Sequence, residues 1–289
     1  MKKTVLTRLR RAIKPAFADL LMSLPEGVHR TLMLPSVRQY FIHLPLIKGV
    51  YSGCYRSHPI DKTLGTDTSG FVDSDRLTED QPPSDQHNPY MGSQPSIVRR
   101  ALASLPAIEG YTFLDLGCGK GRAMIVATEY PFAAVLGCDI SADLVARANA
   151  NAKILATRFP GRTAMHAVVS DVRKMAYPRG RLVVFLYNSF GESLFREVLS
   201  SLMDALDAAT VEHLFIVYYN PVEAHVVDAI PAFRRWSADV YEYAPNELNY
   251  GPSLCDTVVV WQSVKRATPG EMANCQRRIK VAGTTAYLD

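Results

Sequence analysis

YTFLDLGCGKGRAM, residues Tyr111 to Met124, decides the fold: an apolar run ends in an aspartate and then opens into glycines at alternate positions. Phe113 and Leu114 suit a buried parallel strand, Asp115 closes the run, and Ala123 to Ala127 resumes apolar residues at helical spacing. The stretch therefore predicts a strand passing into a helix through a loop almost free of side chains. Gly117, Gly119 and Gly121 allow positive φ and a close approach of a ligand to the backbone, and the helix start adds unpaired N–H groups.

The spacing narrows the ligand. A dinucleotide fingerprint reads G-x-G-x-x-G, whereas here the glycines fall as G-x-G-x-G with Asp115 two residues ahead. Two more apolar runs end in acids. Ala133 to Ile140 reaches Asp139, about twenty residues past the glycines, where a carboxylate accepts from ribose hydroxyls. After an alanine-rich helical stretch, Ala142 to Ala156, the run His166 to Ser170 stops at Asp171. For Asp139 a plain helix cap stays open, because Ser141 and Ala142 follow it.

These residues resemble the first motif of the class I S-adenosylmethionine-dependent methyltransferases, D-x-G-x-G-x-G. The resemblance extends from about residue 60 to 262, through GTDTSGFV, PYMGSQPS, FLDLGCGKGRAM, YPFAAVLGCDIS, LVVFLYNSFGE and VYYNP. It points to a bacterial group of that class without a settled substrate. Two departures stand out: Asp139 replaces a more usual glutamate, and Ser189 replaces the proline of N-P-F. The resemblance implies a seven-stranded, mostly parallel α/β sheet of Rossmann-like type, order 3-2-1-4-5-7-6, with helices on both faces. It implies S-adenosylmethionine as cofactor, held by Asp115, Gly117, Cys118, Gly119 and Gly121, by Asp139 and Ile140 at the ribose, and by Asp171 and Val172 at the adenine. Tyr90 and Asn188 join that site.

Asn188 and Tyr187 at the end of the fourth strand are the candidate catalytic residues. Asn188 and Phe190 match the polar and aromatic ends of an amino-group acceptor motif only loosely, since the prolines that would fix its backbone are missing. A turn or cap asparagine is the alternative. Tyr90, Tyr187 and Tyr219 are read either as pocket walls or as core. His166 falls at the wrong end of its strand for a general base and is read as packed. Methyl transfer from a sulfonium needs alignment and exclusion of water more than added groups. The seven histidines offer no metal-ligand spacing, so no metal is expected.

The rest of the chain is organised around this unit. Its 289 residues, 48% hydrophobic and 21% charged, suit one large globular domain with an extension. Five scattered cysteines form no C-x-x-C pair, which argues against a disulfide frame or zinc site and for a reducing, cytoplasmic setting. The net charge of +4 is concentrated at the ends, with six basic residues before the first acid, Asp19, so the middle is acidic and no long nucleic acid is expected as partner. Residues 1–24 read as a basic amphipathic helix, either packed on the domain or lying weakly on an anionic membrane. Pro15 and Asp19 break its apolar run, which argues against a signal peptide.

The expected divisions are a helical extension over 1–56, a long loop over 57–95 approaching the active site, the cofactor-binding domain over 96–264 and a tail over 265–289. Ala244 to Cys255, with Glu247, Asn249 and Tyr250, is either a substrate lid or a long hairpin connection. Three functions remain: methyl transfer to a small molecule or protein side chain, nicotinamide-dependent dehydrogenation, and cofactor binding without catalysis. The glycine spacing and Asp171 disfavour the second.

Overall fold

The computed structural model describes residues 56–72, 87–248, 250, 251, 253–264, 279–282 and 285–288, with single positions at 28, 31, 36, 37, 40, 74 and 77. The basic helix expected over 1–24 and the side chain of Asn249 lie outside the described residues. No helix among the described residues is long and apolar enough to cross a membrane.

In chain order the elements are α1 (Pro59–Leu64), β1 (Phe71–Val72), β2 (Tyr90–Met91), α2 (Pro95–Ala103), β3 (Thr112–Leu116), α3 (Arg122–Ala127), β4 (Ala134–Asp139), α4 (Ala142–Arg158) and β5 (Met165–Val169). They continue with β6 (Gly180–Tyr187), α5 (Glu192–Asp207), β7 (Val211–Tyr219), α6 (Ala224–Asp228), β8 (Phe233–Glu242), β9 (Cys255–Ser263), β10 (Ile279–Ala282) and β11 (Thr285–Leu288). Seven of the strands form one sheet in the order β5-β4-β3-β6-β7-β9-β8. Counted within the sheet this is the expected 3-2-1-4-5-7-6. Only the pairings of β9 are antiparallel.

All five residues of β3 are buried, as a central parallel strand covered on both faces requires. Phe113, Phe185 and Phe215 face a core shared with α2, α3 and α4, while Leu114, Val184 and Ile216 face one shared with α5 and α6. Helix α5 shows the reason in its spacing: Leu194, Phe195, Val198, Leu199, Leu202 and Leu206 are buried at helical repeats, and Glu192 and Arg196 pair on the outside. Helix α4 starts at Ser141, whose hydroxyl accepts from Leu144 N.

Within the segment expected as a loop over 57–95, the described residues 57–72 and 87–95 carry regular structure. They hold α1 and an antiparallel ribbon of β1 and β2. The cause is Asp61, 4% exposed, whose carboxylate accepts from the Thr66, Thr68 and Ser69 hydroxyls and from Thr68 N. The Ser and Thr residues that read as loop in the sequence are ligands of a buried acid. The tail likewise carries a hairpin of β10 and β11.

Candidate cofactor and methyl-transfer site

The parallel strands deliver their carboxyl ends to one side of the sheet, and a cavity opens there at the switch point between β3 and its neighbours β4 and β6. It encloses about 750 Å³, counting the solvent at its mouth. Tyr90, Asp115, Gly117, Cys118, Asp139, Ile140, Asp171, Val172 and Tyr187 all line it. Gly119, Gly121 and Asn188 do not.

The glycine loop is shaped from both sides. Gly117 N and Cys118 N both donate to the carbonyl of Cys138 at 2.9 Å, which binds the loop to β4. Gly117 has φ +81°, and a Cβ there would stand 2.7 Å from the Ser189 side chain. Gly119 has φ +52°, and a Cβ there would run into the ring of Tyr90. Gly119 is thus required by a neighbouring side chain rather than by an open face towards a ligand.

Three carboxylates meet the cavity, each in a different state. Asp115 is 3% exposed and accepts no hydrogen bond from a described residue; burial, reinforced by Asp139, pushes its pKa well above the carboxylate range. Asp139 takes Gly119 N at 2.8 Å and Ser141 N at 2.9 Å, one on each oxygen. Burial raises its pKa, and these two bonds oppose the rise. Each oxygen keeps a second lone pair for a ligand hydroxyl. Asp171 caps the short 3-10 turn Val172–Lys174 and is gripped by the Arg173 guanidinium, which holds it below its usual range.

Over the glycine loop runs a strap, residues 87–93, that supplies His87, Asn88, Pro89, Met91, Gly92 and Ser93 to the cavity wall. Asn88 donates from Nδ2 to Asn188 O at 2.6 Å and from its backbone N to Ser189 O at 3.2 Å. Tyr90 donates its hydroxyl to Thr68 O at 2.7 Å. The basic pair of the G-K-G-R stretch does the fastening. Arg122, 5% exposed, donates from Nε to Thr68 Oγ1 and from Nη2 to Thr68 O, both at 2.8 Å. Its Nη1 reaches Gly92 O at 3.1 Å and Ser93 O at 3.3 Å. Lys120 Nζ pairs with Asp67 at 2.9 Å and donates to Ser69 O. Behind them His58 is buried, accepts from Ile60 N and faces Gln94; burial first, then the Arg122 charge, lowers its pKa to about 3, so it stays neutral.

Several expectations are corrected. Asn188 sits at φ +42°, with its side-chain oxygen 3.4 Å from the Tyr218 hydroxyl and its backbone carbonyl held by Asn88. These are the contacts of the turn asparagine named as the alternative, and Asn188 is not on the cavity wall. His166 is exposed rather than packed, since β5 is a sheet edge. The 244–255 connection does not hang free as a lid: Glu247 is 3% exposed and accepts from Ser96 N at 2.9 Å, and Tyr250 O accepts from Gln94. Of the tyrosines, Tyr219 is core and Tyr187 is a wall. Arg122 and Phe185 are wall residues that the sequence did not single out, whereas Phe190, named there as the aromatic end of a motif, does line the cavity. Among the described residues one trio, Glu192, Glu223 and His225, has metal-ligand spacing; none of the three lines this cavity, and Glu192 is already paired to Arg196.

Residues 113–208, which hold the glycine loop, the acids and strands β3 to β6, match the family described as a methyltransferase domain. The match assigns residues 113–208 to a methyltransferase domain. A malonyl-(acyl-carrier protein) O-methyltransferase from Herminiimonas arsenicoxydans is 36% identical over 66 residues, 22% of this chain and 25% of the relative. The chain thus spans about a quarter of that curated relative. Solved structures similar to it include TrmN from Thermus thermophilus, 17% identical over 66% of this chain and 53% of that one, TM-score 0.43. Another is magnesium protoporphyrin IX methyltransferase from Synechocystis PCC 6803 with bound SAM, 16% identical over 58% and 76%, TM-score 0.37.

Proposed function

We propose that the chain transfers a methyl group from S-adenosylmethionine, held between the glycine loop and the strap, to an acceptor that enters beside Tyr187. The observation that carries this reading is Asp115: a carboxylate 3% exposed, on the cavity wall, with no donor from a described residue. Burial disfavours the charge on such a carboxyl, and a cationic ligand seated on it restores the ionised form. S-adenosylmethionine carries an ammonium and a sulfonium. A nicotinamide dinucleotide instead brings a pyrophosphate, while the Arg122 guanidinium on the wall is already occupied by Thr68, Gly92 and Ser93.

The cofactor supplies an activated methyl group. Asp115 fits its ammonium, the free lone pairs of Asp139 fit the ribose hydroxyls, and Ile140 and Val172 fit the flat faces of its base. Tyr90 and the strap shut out water above the loop, which strengthens every charge interaction beneath. Tyr187 and Phe185 present an apolar, aromatic wall where an acceptor is aligned.

Calorimetric titration with S-adenosylmethionine and with NADH tests the cofactor, and transfer of a labelled methyl group into fractionated cell extract tests the reaction. Heat with the first ligand alone, followed by label in one fraction, is expected. Binding of NADH alone overturns the reading.

A further inference from the structure

Beyond Tyr187 the carboxyl edge of the sheet carries a polar cluster that the transfer of the methyl group does not itself use. Tyr187 on β6 pairs in register with Tyr219 on β7, and their rings stack with centroids 4.2 Å apart. Since β9 runs antiparallel, its first residues return to this same edge and place Asp256 past the end of β7. The hydroxyls of Tyr219 and Tyr243 both donate to Asp256 Oδ2, at 2.6 and 2.5 Å. Oδ1 accepts from no described residue, and Asp256 forms no ion pair among the described residues. Asp256 is only part-buried.

A part-buried carboxylate held by two phenol hydroxyls is half of a cation site. Two neutral donors on one oxygen orient the charge without neutralising it, and the second oxygen remains for a charge-assisted bond. We infer that Asp256, with Tyr187, Tyr219 and Tyr243, is the acceptor subsite for a protonated amine, so that the methyl acceptor is an amine-bearing molecule entering past Tyr187. The inference rests on the proposed methyl transfer only for calling the ligand an acceptor; the cation preference stands on this cluster alone. Burial holds the Asp256 carboxyl above its ordinary pKa, and the two tyrosine bonds pull it back down. An amine seated on Oδ1 pulls it down further.

The test uses the full chain saturated with S-adenosylhomocysteine and three small probes of one shape: n-butylamine, n-butanol and butyrate. Chemical-shift titration is expected to give the amine an affinity about tenfold above the alcohol, with butyrate weakest. Asp256→Asn keeps the shape and an oxygen for the tyrosines, and is expected to erase the difference between amine and alcohol while S-adenosylmethionine still binds as in the unaltered chain. Equal binding of the three probes by the unaltered chain overturns the inference, whether or not the variant folds. So does an amine preference that survives Asp256→Asn. Failure of the chain to bind S-adenosylmethionine at all strikes the proposed function instead, and leaves the probe comparison readable without the cofactor product.

Discussion

Replacing Arg122 by methionine separates the strap from the sheet. The guanidinium donates to three backbone carbonyls, those of Thr68, Gly92 and Ser93, and to the Thr68 hydroxyl, and lies 3.9 Å from Asp61. Methionine keeps most of the apolar stem, so the loss is chiefly polar. Asp61 retains its four hydroxyl and backbone donors and does not become an orphan charge. Thr68 O keeps the Tyr90 hydroxyl, but the Gly92 and Ser93 carbonyls lose the Arg122 donor, and each costs about 1–3 kcal/mol if it stays buried unpaired. The strap avoids that sum by lifting into water, so the expected result is local opening worth about 3–5 kcal/mol rather than global unfolding. Hydrogen exchange measures it directly: peptides over 87–93 lose protection in Arg122→Met while those over β3, β6 and β7 keep theirs. Because the open form lacks the cover over the glycine loop, affinity for S-adenosylmethionine falls about ten- to a hundredfold. A folded variant with native exchange over 87–93 and native affinity refutes the fastening role of Arg122.

Gly119→Val is expected to abolish cofactor binding, and Gly119→Ala combined with Tyr90→Ala to recover part of it, since the side chain that meets a Cβ at this position is Tyr90; calorimetry on both proteins decides, and no recovery leaves only the φ of +52° as cause. Asp139→Ala removes both the tie to Gly119 N and the ribose acceptor, and should weaken S-adenosylmethionine binding by about 2–3 kcal/mol in a protein that still melts cooperatively; unchanged affinity excludes Asp139 from the site. Asp115→Asn should raise the melting temperature at neutral pH while weakening cofactor binding. The folded pKa of Asp115 is raised by burial, so its favourable protonated form is present at low pH and is lost as pH rises through that raised value; the advantage of asparagine therefore grows with pH. Melting curves that differ by the same amount at every pH contradict it.

The carboxyl-edge acids were legible because β3, β4 and β5 are apolar runs that lead to Asp115, Asp139 and Asp171, whereas the strand order came with the family resemblance. Strand β8 is harder to read, since Arg234, Arg235 and a register shift before Ser237 break the apolar alternation at a sheet edge. The order in residues 57–72 and 87–95 was hidden for a different reason. Composition registers Thr66, Thr68 and Ser69 as loop residues and is blind to the single acid, Asp61, that collects them across short sequence distance, or to Arg122, which binds them across long distance. The place of Asn188 after β6 fits a motif, while its positive φ and its contact with Tyr218 could not be read from the sequence. Asp256 carries no motif at all, and only the antiparallel return of β9 brings it beside the stacked tyrosines.

The central claim is that the cavity beneath the strap holds S-adenosylmethionine with its cationic end on Asp115. Calorimetric titration of the full chain with S-adenosylmethionine, set beside Asp115→Asn, tests it most directly: one site per chain, with affinity lowered about tenfold or more in the variant, is predicted. No binding to the unaltered chain, or equal binding to both proteins, contradicts it.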